Sequence, residues 1–327
     1  MFDKSIIGNT IAELRRASGM TQAELADTLR VSHQAVSQWE RGETLPDITL
    51  LPEIAAVFGT DVNRLFGISA PEPEPVVAAE DIPHKNVHDV EADGDYSCEC
   101  DIGSADVDGD LTVRGNVLGD IDAGGSVSVT GYVEGNIDAG DSVSVGSYIR
   151  GDIDAGDDVV AGGNVDGDIN AGDDVVVRGE VSGDIDAGGS VTAAGKVMGD
   201  IDAGDDVVVR GQVNGDVDAG GDVAVNGQVN GDVDAGGDVA INGQVVGDVD
   251  AGGDVAVNGN VRGDIDCGGD CTLGDEKHQV SISGSVDCGG DCTAFADIDG
   301  DLTVGGDLTL HGVVSGKIRC GGEITYK

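Results

Sequence analysis

A short phrase, Gly-Asp-Ile-Asp-Ala-Gly or a close variant, recurs with a fixed period of sixteen through the larger, C-terminal part of this chain. It begins at Gly119, Gly135, Gly151, Gly167, Gly183, Gly199, Gly215, Gly231, Gly247 and Gly263, and a degenerate unit starts at Gly103. The next clear copy begins only at Gly284, five positions later than the period would place it. A surface loop around Gly274–Gln279 is predicted to hold that insertion. The period resumes at Gly300 and Gly316. A fixed period of this kind marks an architecture in which no unit can bury its apolar face alone, so neighbours must stack.

Within a unit the apolar residues alternate. From Gly119 they are Ile121, Ala123, Val127, Val129 and Val133, all odd, and the even positions are polar. Period 2 means strands with one buried face. Sixteen is even, so the parity persists until the insertion, which is odd in length, flips it: Val286, Cys288, Cys292, Ile298, Leu302, Val304, Leu308 and Leu310 are even. The buried face is thus kept across the insertion. Gly-Gly-Asp or Gly-Asp-Asp corners, and Asn-Gly corners at Asn226, Asn242 and Asn258, punctuate each unit with residues that tolerate positive φ. Three short strands and three corners per period describe one rung of a parallel β-helix. The expectation is an all-β solenoid over residues 98–327, with about 13 rungs and a length on the order of 60 Å at ~4.8 Å per rung. Like residues fall into columns, among them Gln212, Gln228 and Gln244, the three corner asparagines, and Tyr132 with Tyr148. Amide columns are expected to bond rung to rung.

Charge divides the 327 residues sharply. Residues 1–67 carry 6 Lys/Arg and 9 Asp/Glu, a net −3, and the remainder carries −43 of the total −46. The repeat region would repel phosphates along its length, which excludes it as a nucleic-acid surface. Three aspartate columns, through Asp152 to Asp200, Asp186 to Asp234 and Asp222 to Asp270, read as a solubilising face, with calcium binding as the competing reading. Cys267, Cys271, Cys288 and Cys292 have buried parity in consecutive rungs; they read as small core residues, with a zinc site as the alternative. No cofactor is expected. A period of sixteen does not fit the hexapeptide β-helix acyltransferases, and no nucleophile–base pair or phosphate loop stands out, so no enzyme is expected. Apolar runs are too short for a membrane span or a secretory leader, and the clustered cysteines do not resemble a disulfide framework; a cytoplasmic protein with no membrane partner is expected. Residues 68–97 open with a Pro/Glu alternation from Pro71 to Pro75 and read as a linker.

Residues 1–67 read instead as a small all-α domain. Gly19 closes a first helix, and Thr21 with Glu24 forms a capping box for a second. After a turn at Arg30-Val31, Ser32 caps a third helix, which Gly42 closes after Arg41. Leu14, Leu25, Ala26, Leu29, Val36, Trp39, Leu51, Ile54 and Phe58 keep helical spacing and are the expected core. The run Met20-Thr21-Gln22-x-Glu24-Leu25-Ala26, then Val31-Ser32-His33-Gln34-Ala35-Val36-Ser37-Gln38-Trp39-Glu40-Arg41-Gly42, then Pro46-Asp47, closely resembles the Cro/repressor-type (XRE family) helix-turn-helix domains. That resemblance implies five helices with the third in the major groove of double-stranded DNA. Gln22 and Arg41 would contact the backbone, and Ser32, His33, Gln34, Ser37 and Gln38 would meet bases or phosphates. Glutamine suits bidentate pairing with adenine.

The repeats, with their Gly-Asp-Ile/Val phrases and small aliphatic core, resemble the polymer-forming, bactofilin-like β-helices, which implies assembly rather than chemistry. No capping helix is read beyond the last repeat, so the terminal rungs would expose unpaired strand edges. The combined expectation is a sequence-specific DNA-binding protein, a transcriptional regulator whose solenoid makes it a homodimer or a larger assembly. The alternative is a scaffold filament that anchors to DNA.

Overall fold

A computed structural model describes residues 11–12, 14–16, 20–29, 31, 33–40, 54 and 87–327. The chain divides into two compact units, Met1–Pro83 and His84–Lys327.

In the first unit, helical residues at 11–16 precede α1 (Gln22–Thr28) and α2 (His33–Glu40). α1 starts immediately after Thr21, as the capping box requires, and the turn after it is closed by the Val31 N–H donating to the Ala26 carbonyl at 2.9 Å. Leu25, Ala26, Leu29, Val36, Trp39 and Ile54 are buried as expected, joined by Ile11 and Ala12; Leu14 is only half-buried. Leu51 and Phe58 lie outside the described residues, and so do most positions on which the five-helix expectation rests.

The second unit is a parallel β-solenoid of two 15-stranded sheets. One sheet starts at β1 (Val90–Ala92) and ends at β31 (Ile318–Cys320); the other starts at β2 (Tyr96–Cys98) and ends at β32 (Ile324–Tyr326). Each coil contributes one short strand to each sheet, paired in register with its counterpart in the next coil, as Ile185 with Ile201. The third side is narrower than a strand. A single residue per coil, such as Val181, bridges to Val197, and the bridges widen to a strand pair only at β25 (Val280–Ile282) and β28 (Ala296–Ile298). Asp275–Gln279 are exposed, with Asp275 and His278 closing a tight turn, which is the predicted loop. The core is one continuous stack of Val, Ile, Ala, Leu and Cys, and the described residues include no buried polar side chain.

Two expectations need correction. There are 15 coils rather than about 13, and the first strand opens at Val90, inside the stretch 68–97 read as linker. The cause is a corner one residue short: Val90 pairs with Ala105, a step of fifteen, whereas Ala105 pairs with Ile121, a step of sixteen. That deletion reverses the parity of the first coil and hides it from a search at the regular period. The corner glycines also serve a different purpose from the one predicted. Among the described residues, positive-φ glycines occur only at Gly94 and Gly274 (φ +68°). Elsewhere the glycines let stacked corners approach: a Cβ on Gly220 would stand 2.1 Å from the carbonyl oxygen of Gly204.

Candidate nucleic-acid interface

Helical register puts positions 33, 34, 37 and 38 along one flank of α2, away from Val36 and Trp39 in the core. Gln38 is exposed on that flank. His33, Gln34 and Ser37 belong to α2, but their side chains lie outside the described atoms, and Ser32 and Arg41 lie outside the described residues.

Gln22, at the start of α1, is half-buried and already engaged. Its Nε2 donates to Glu40 Oε2 at 2.7 Å. Arg15 approaches the same carboxylate with both prongs, Nε to Oε1 at 2.6 Å and Nη2 to Oε2 at 3.0 Å, while its Nη1 donates to the Met20 carbonyl at 2.7 Å. Burial alone would raise the Glu40 pKa. The hydrogen bonds from Arg15 and Gln22 outweigh it and hold the carboxyl below the ordinary glutamate range. The same bond raises Arg15 further above its already high value. This clamp ties the residue before the turn, the first residue of α1 and the last of α2 into one unit, and so fixes the angle at which α2 is presented. Arg15 and Glu40 stand far apart in sequence, and no local pattern pairs them.

On the solenoid, the aspartate columns divide by role. Two of them line corners and are structural. Asp152 Oδ1 accepts the Asp168 N–H at 2.9 Å, and the pattern continues through Asp184 and Asp200; Asp222, Asp238 and Asp254 do the same for the residues above them. The requirement is a short side chain with an acceptor oxygen at the γ or δ position, which is why Asn136 and Ser285 can stand in the series. Asp232→Ala is accordingly expected to be about 1 kcal/mol less stable than Asp232→Asn, since both lack the charge but only Asn keeps an acceptor for the Asp248 N–H. Urea unfolding of the two variants measures the difference.

The third column, Asp186 to Asp234, stands mid-strand with like charges in register. Burial first, then the neighbouring carboxylates Asp202 and Asp234, raise the Asp218 pKa. Among the described residues, no group of three or more His, Cys, Asp or Glu side chains has the geometry to hold a metal ion. Cys267, Cys271, Cys288 and Cys292 are buried in the core, Cys267 paired in register with Cys288 and Cys271 with Cys292. Hydrogen bonds among the four thiols, and burial, push Cys271 well above the usual thiol value. Tyr132 and Tyr148 stack at 4.7 Å, as their column predicted. The asparagine column bonds rung to rung, Asn242 Nδ2 to Asn226 Oδ1 at 2.8 Å and Asn258 Nδ2 to Asn242 Oδ1 at 3.0 Å. The glutamines do not follow: Gln212 and Gln228 turn sideways to Asn214 and Asn230 within their own coils.

Comparison with known families agrees with this division. The helix-turn-helix family matches residues 11–65. The bactofilin family, described as polymer-forming cytoskeletal, matches twice, over 159–225 and 212–290. Neither is an enzyme family. No curated protein and no solved structure matches the chain significantly. No helix among the described residues is long and apolar enough to cross a membrane.

Proposed function

We propose that this chain, a fusion of an XRE-type helix-turn-helix region with a bactofilin-like solenoid, is a sequence-specific DNA-binding protein that works as a self-associated assembly and regulates transcription. The observation that carries the reading is the union, on one chain, of a clamped α1–turn–α2 unit with a stack whose end strands, among the described residues, each have one neighbour. Gln38, with Ser32, His33, Gln34 and Ser37, carries the reading of bases or phosphates; Gln22 and Arg41 hold the backbone. The region's net charge of −3 limits the affinity of a single copy. Joining several copies converts later contacts into intramolecular ones, which strengthens binding by roughly 10²–10⁴-fold without any new contact.

Gel shifts of residues 1–70 and of the full chain over a salt series test this. The full chain is expected to bind a target duplex at least about 100-fold more tightly. Equal affinities would sink the avidity reading. A second reading, a scaffold filament that uses DNA for placement, is favoured by the end strands of both sheets, which have a single neighbour each among the described residues. Electron microscopy separates the two: long filaments without DNA support the scaffold, and discrete dimers or short oligomers support the regulator.

A further inference from the structure

Cys267, Cys271, Cys288 and Cys292 form a block of thiols that the repeat itself does not require. One coil earlier the same two columns hold an alanine and a valine: Ala251 pairs with Cys267, and Val255 pairs with Cys271. One coil later the columns return to Val304 and Leu308. Cysteine is intermediate in size between alanine and valine, so the exchange keeps the core filled while changing its chemistry. Packing alone leaves the block without a reason. We infer that it is a redox modification site, in which a small hydroperoxide oxidises Cys271 and Cys288 to a disulfide that staples two consecutive coils together.

The topology converges these four side chains on one corner. Cys267 ends β23 (Ile265–Cys267) and Cys271 opens β24 (Cys271–Leu273). Cys288 and Cys292 hold the same places in β26 (Val286–Cys288) and β27 (Cys292–Ala294), and paired strands lie about 4.8 Å apart. The Cys271 thiol is hydrogen-bonded with those of Cys267, Cys288 and Cys292, which makes it the hub of the block. Sulfurs already in such contact need only a short closing movement to reach the bonding distance of about 2 Å. Cys320 shares the column of Cys288 but lies beyond Val304, two coils or about 10 Å away, outside the roughly 7 Å limit for a disulfide. The wall over the block is thin. Its corners are Gly268-Gly269 and Gly289-Gly290, which carry no side chains, and Gly268 and Gly289 are exposed. Cys288 Sγ stands 3.4 Å from the Gly269 carbonyl oxygen, and Cys267 Sγ stands 3.7 Å from the same oxygen. A local opening of one corner suffices for a molecule as small as hydrogen peroxide.

The two central thiols also differ in acidity in the sense the reaction needs. Hydrogen bonds from Cys271, then from Cys267 and the Gly290 N–H, outweigh burial and bring Cys288 down to about 7, while Cys271 stands well above the usual thiol value. Cys288 is therefore the thiolate near neutral pH, and Cys271 keeps its proton. The Cys288 sulfur attacks one peroxide oxygen; the O–O bond breaks, and the departing hydroxide takes up the proton that Cys288 released. The Cys271 sulfur then attacks the sulfenic sulfur; the S–O bond breaks, and the hydroxyl leaves as water with the Cys271 proton. Two thiols have given up two electrons and two protons, and one peroxide has become two waters. The bond closes residues 271–288 into a ring that contains the exposed Asp275–Gln279 loop, so the inserted segment is tied at both ends.

Hydrogen peroxide treatment of the reduced full chain, followed by alkylation in denaturant and peptide mapping, tests this. Asp270, Lys277 and Asp291 separate the four cysteines, so trypsin with a protease that cuts before aspartate places each in its own peptide. The Cys271 peptide is expected joined to the Cys288 peptide, with release by dithiothreitol and no change in far-UV circular dichroism. Two variants borrow the residues that the same columns use one coil earlier, Cys288→Ala as at Ala251 and Cys271→Val as at Val255. Cys288→Ala should lose its buried thiols to peroxide at least about tenfold more slowly than the parent, because the remaining thiols are far less ionised. Cys271→Val should stop at a sulfenic acid on Cys288, trapped by dimedone. A parent whose four buried thiols all stay open to alkylation, a bridge between any other pair, a Cys288→Ala chain oxidised at the parent's rate, or a Cys271→Val chain without the dimedone adduct would overturn the inference.

Discussion

Gly204→Ala is expected to destabilise the solenoid by about 3 kcal/mol, the upper end for overpacking, although it adds one methyl group to a corner. The new Cβ would stand 2.1 Å from the Gly188 carbonyl oxygen and 3.0 Å from its carbon. Relief by rotation is excluded because the obstacle is backbone. Relief by spreading the coils is opposed by hydrogen bonds that hold them together, including the Gly204 N–H to the Ala187 carbonyl at 2.9 Å. The same contact recurs up the column, where Cβ atoms on Gly188 and Gly220 would each lie 2.1 Å from the oxygen of the glycine one coil earlier. Stability in a stacked repeat is carried by nearest-neighbour interfaces, so a defect in mid-stack weakens the units on both sides. The midpoint of urea unfolding, followed by far-UV circular dichroism, measures the effect. Met198→Ala, at a 46% exposed side chain, is the control and should stay within about 0.5 kcal/mol. A Gly204→Ala midpoint no lower than the control's would show that the corners can spread.

That glycine column illustrates where sequence patterns inform and where they stop. Parity and period located the strands and the inserted loop, since burial on one face of a strand leaves a mark at every second residue. The same method passed over the coil from Val90, because one missing corner residue reverses the parity. Glycine and aspartate were visible at the corners, but the reason for them was not. Positive φ and surface charge are properties of one residue, whereas close approach to Gly188 and acceptance of the N–H of the equivalent residue one coil ahead depend on the coil stacked against it. The first unit divides in the same way. The limits of α1 and the core positions Leu25, Val36 and Trp39 followed from a cap and a helical period. The Arg15–Glu40–Gln22 clamp did not, because it forms only when separate helices pack.

Removing the acid from that clamp should have the larger consequence for the helical unit. Glu40→Ala is expected to cost about 3 kcal/mol, because it leaves the Arg15 guanidinium, whose side chain is only 12% exposed, without its bidentate partner. Arg15→Met combined with Glu40→Leu should recover part of the loss, since no charge then remains buried and unpaired. The clamp also sets a pH dependence. The folded Glu40 carboxyl lies below the ordinary glutamate value of about 4.3, so the contribution is complete above that pH and disappears as pH falls through the lowered folded value. Acid should therefore unfold the helical unit of the parent chain more steeply than that of the double variant. Trp39 makes this measurable within the full-length protein: it is the sole tryptophan and is buried in the helical core, so its fluorescence follows this unit and not the solenoid. A Glu40→Ala chain that keeps the parent's Trp39 unfolding midpoint, at neutral pH and at pH 4, would show that helix packing alone fixes α2. The angle at which Gln38 meets DNA would then have to be set by something other than the clamp.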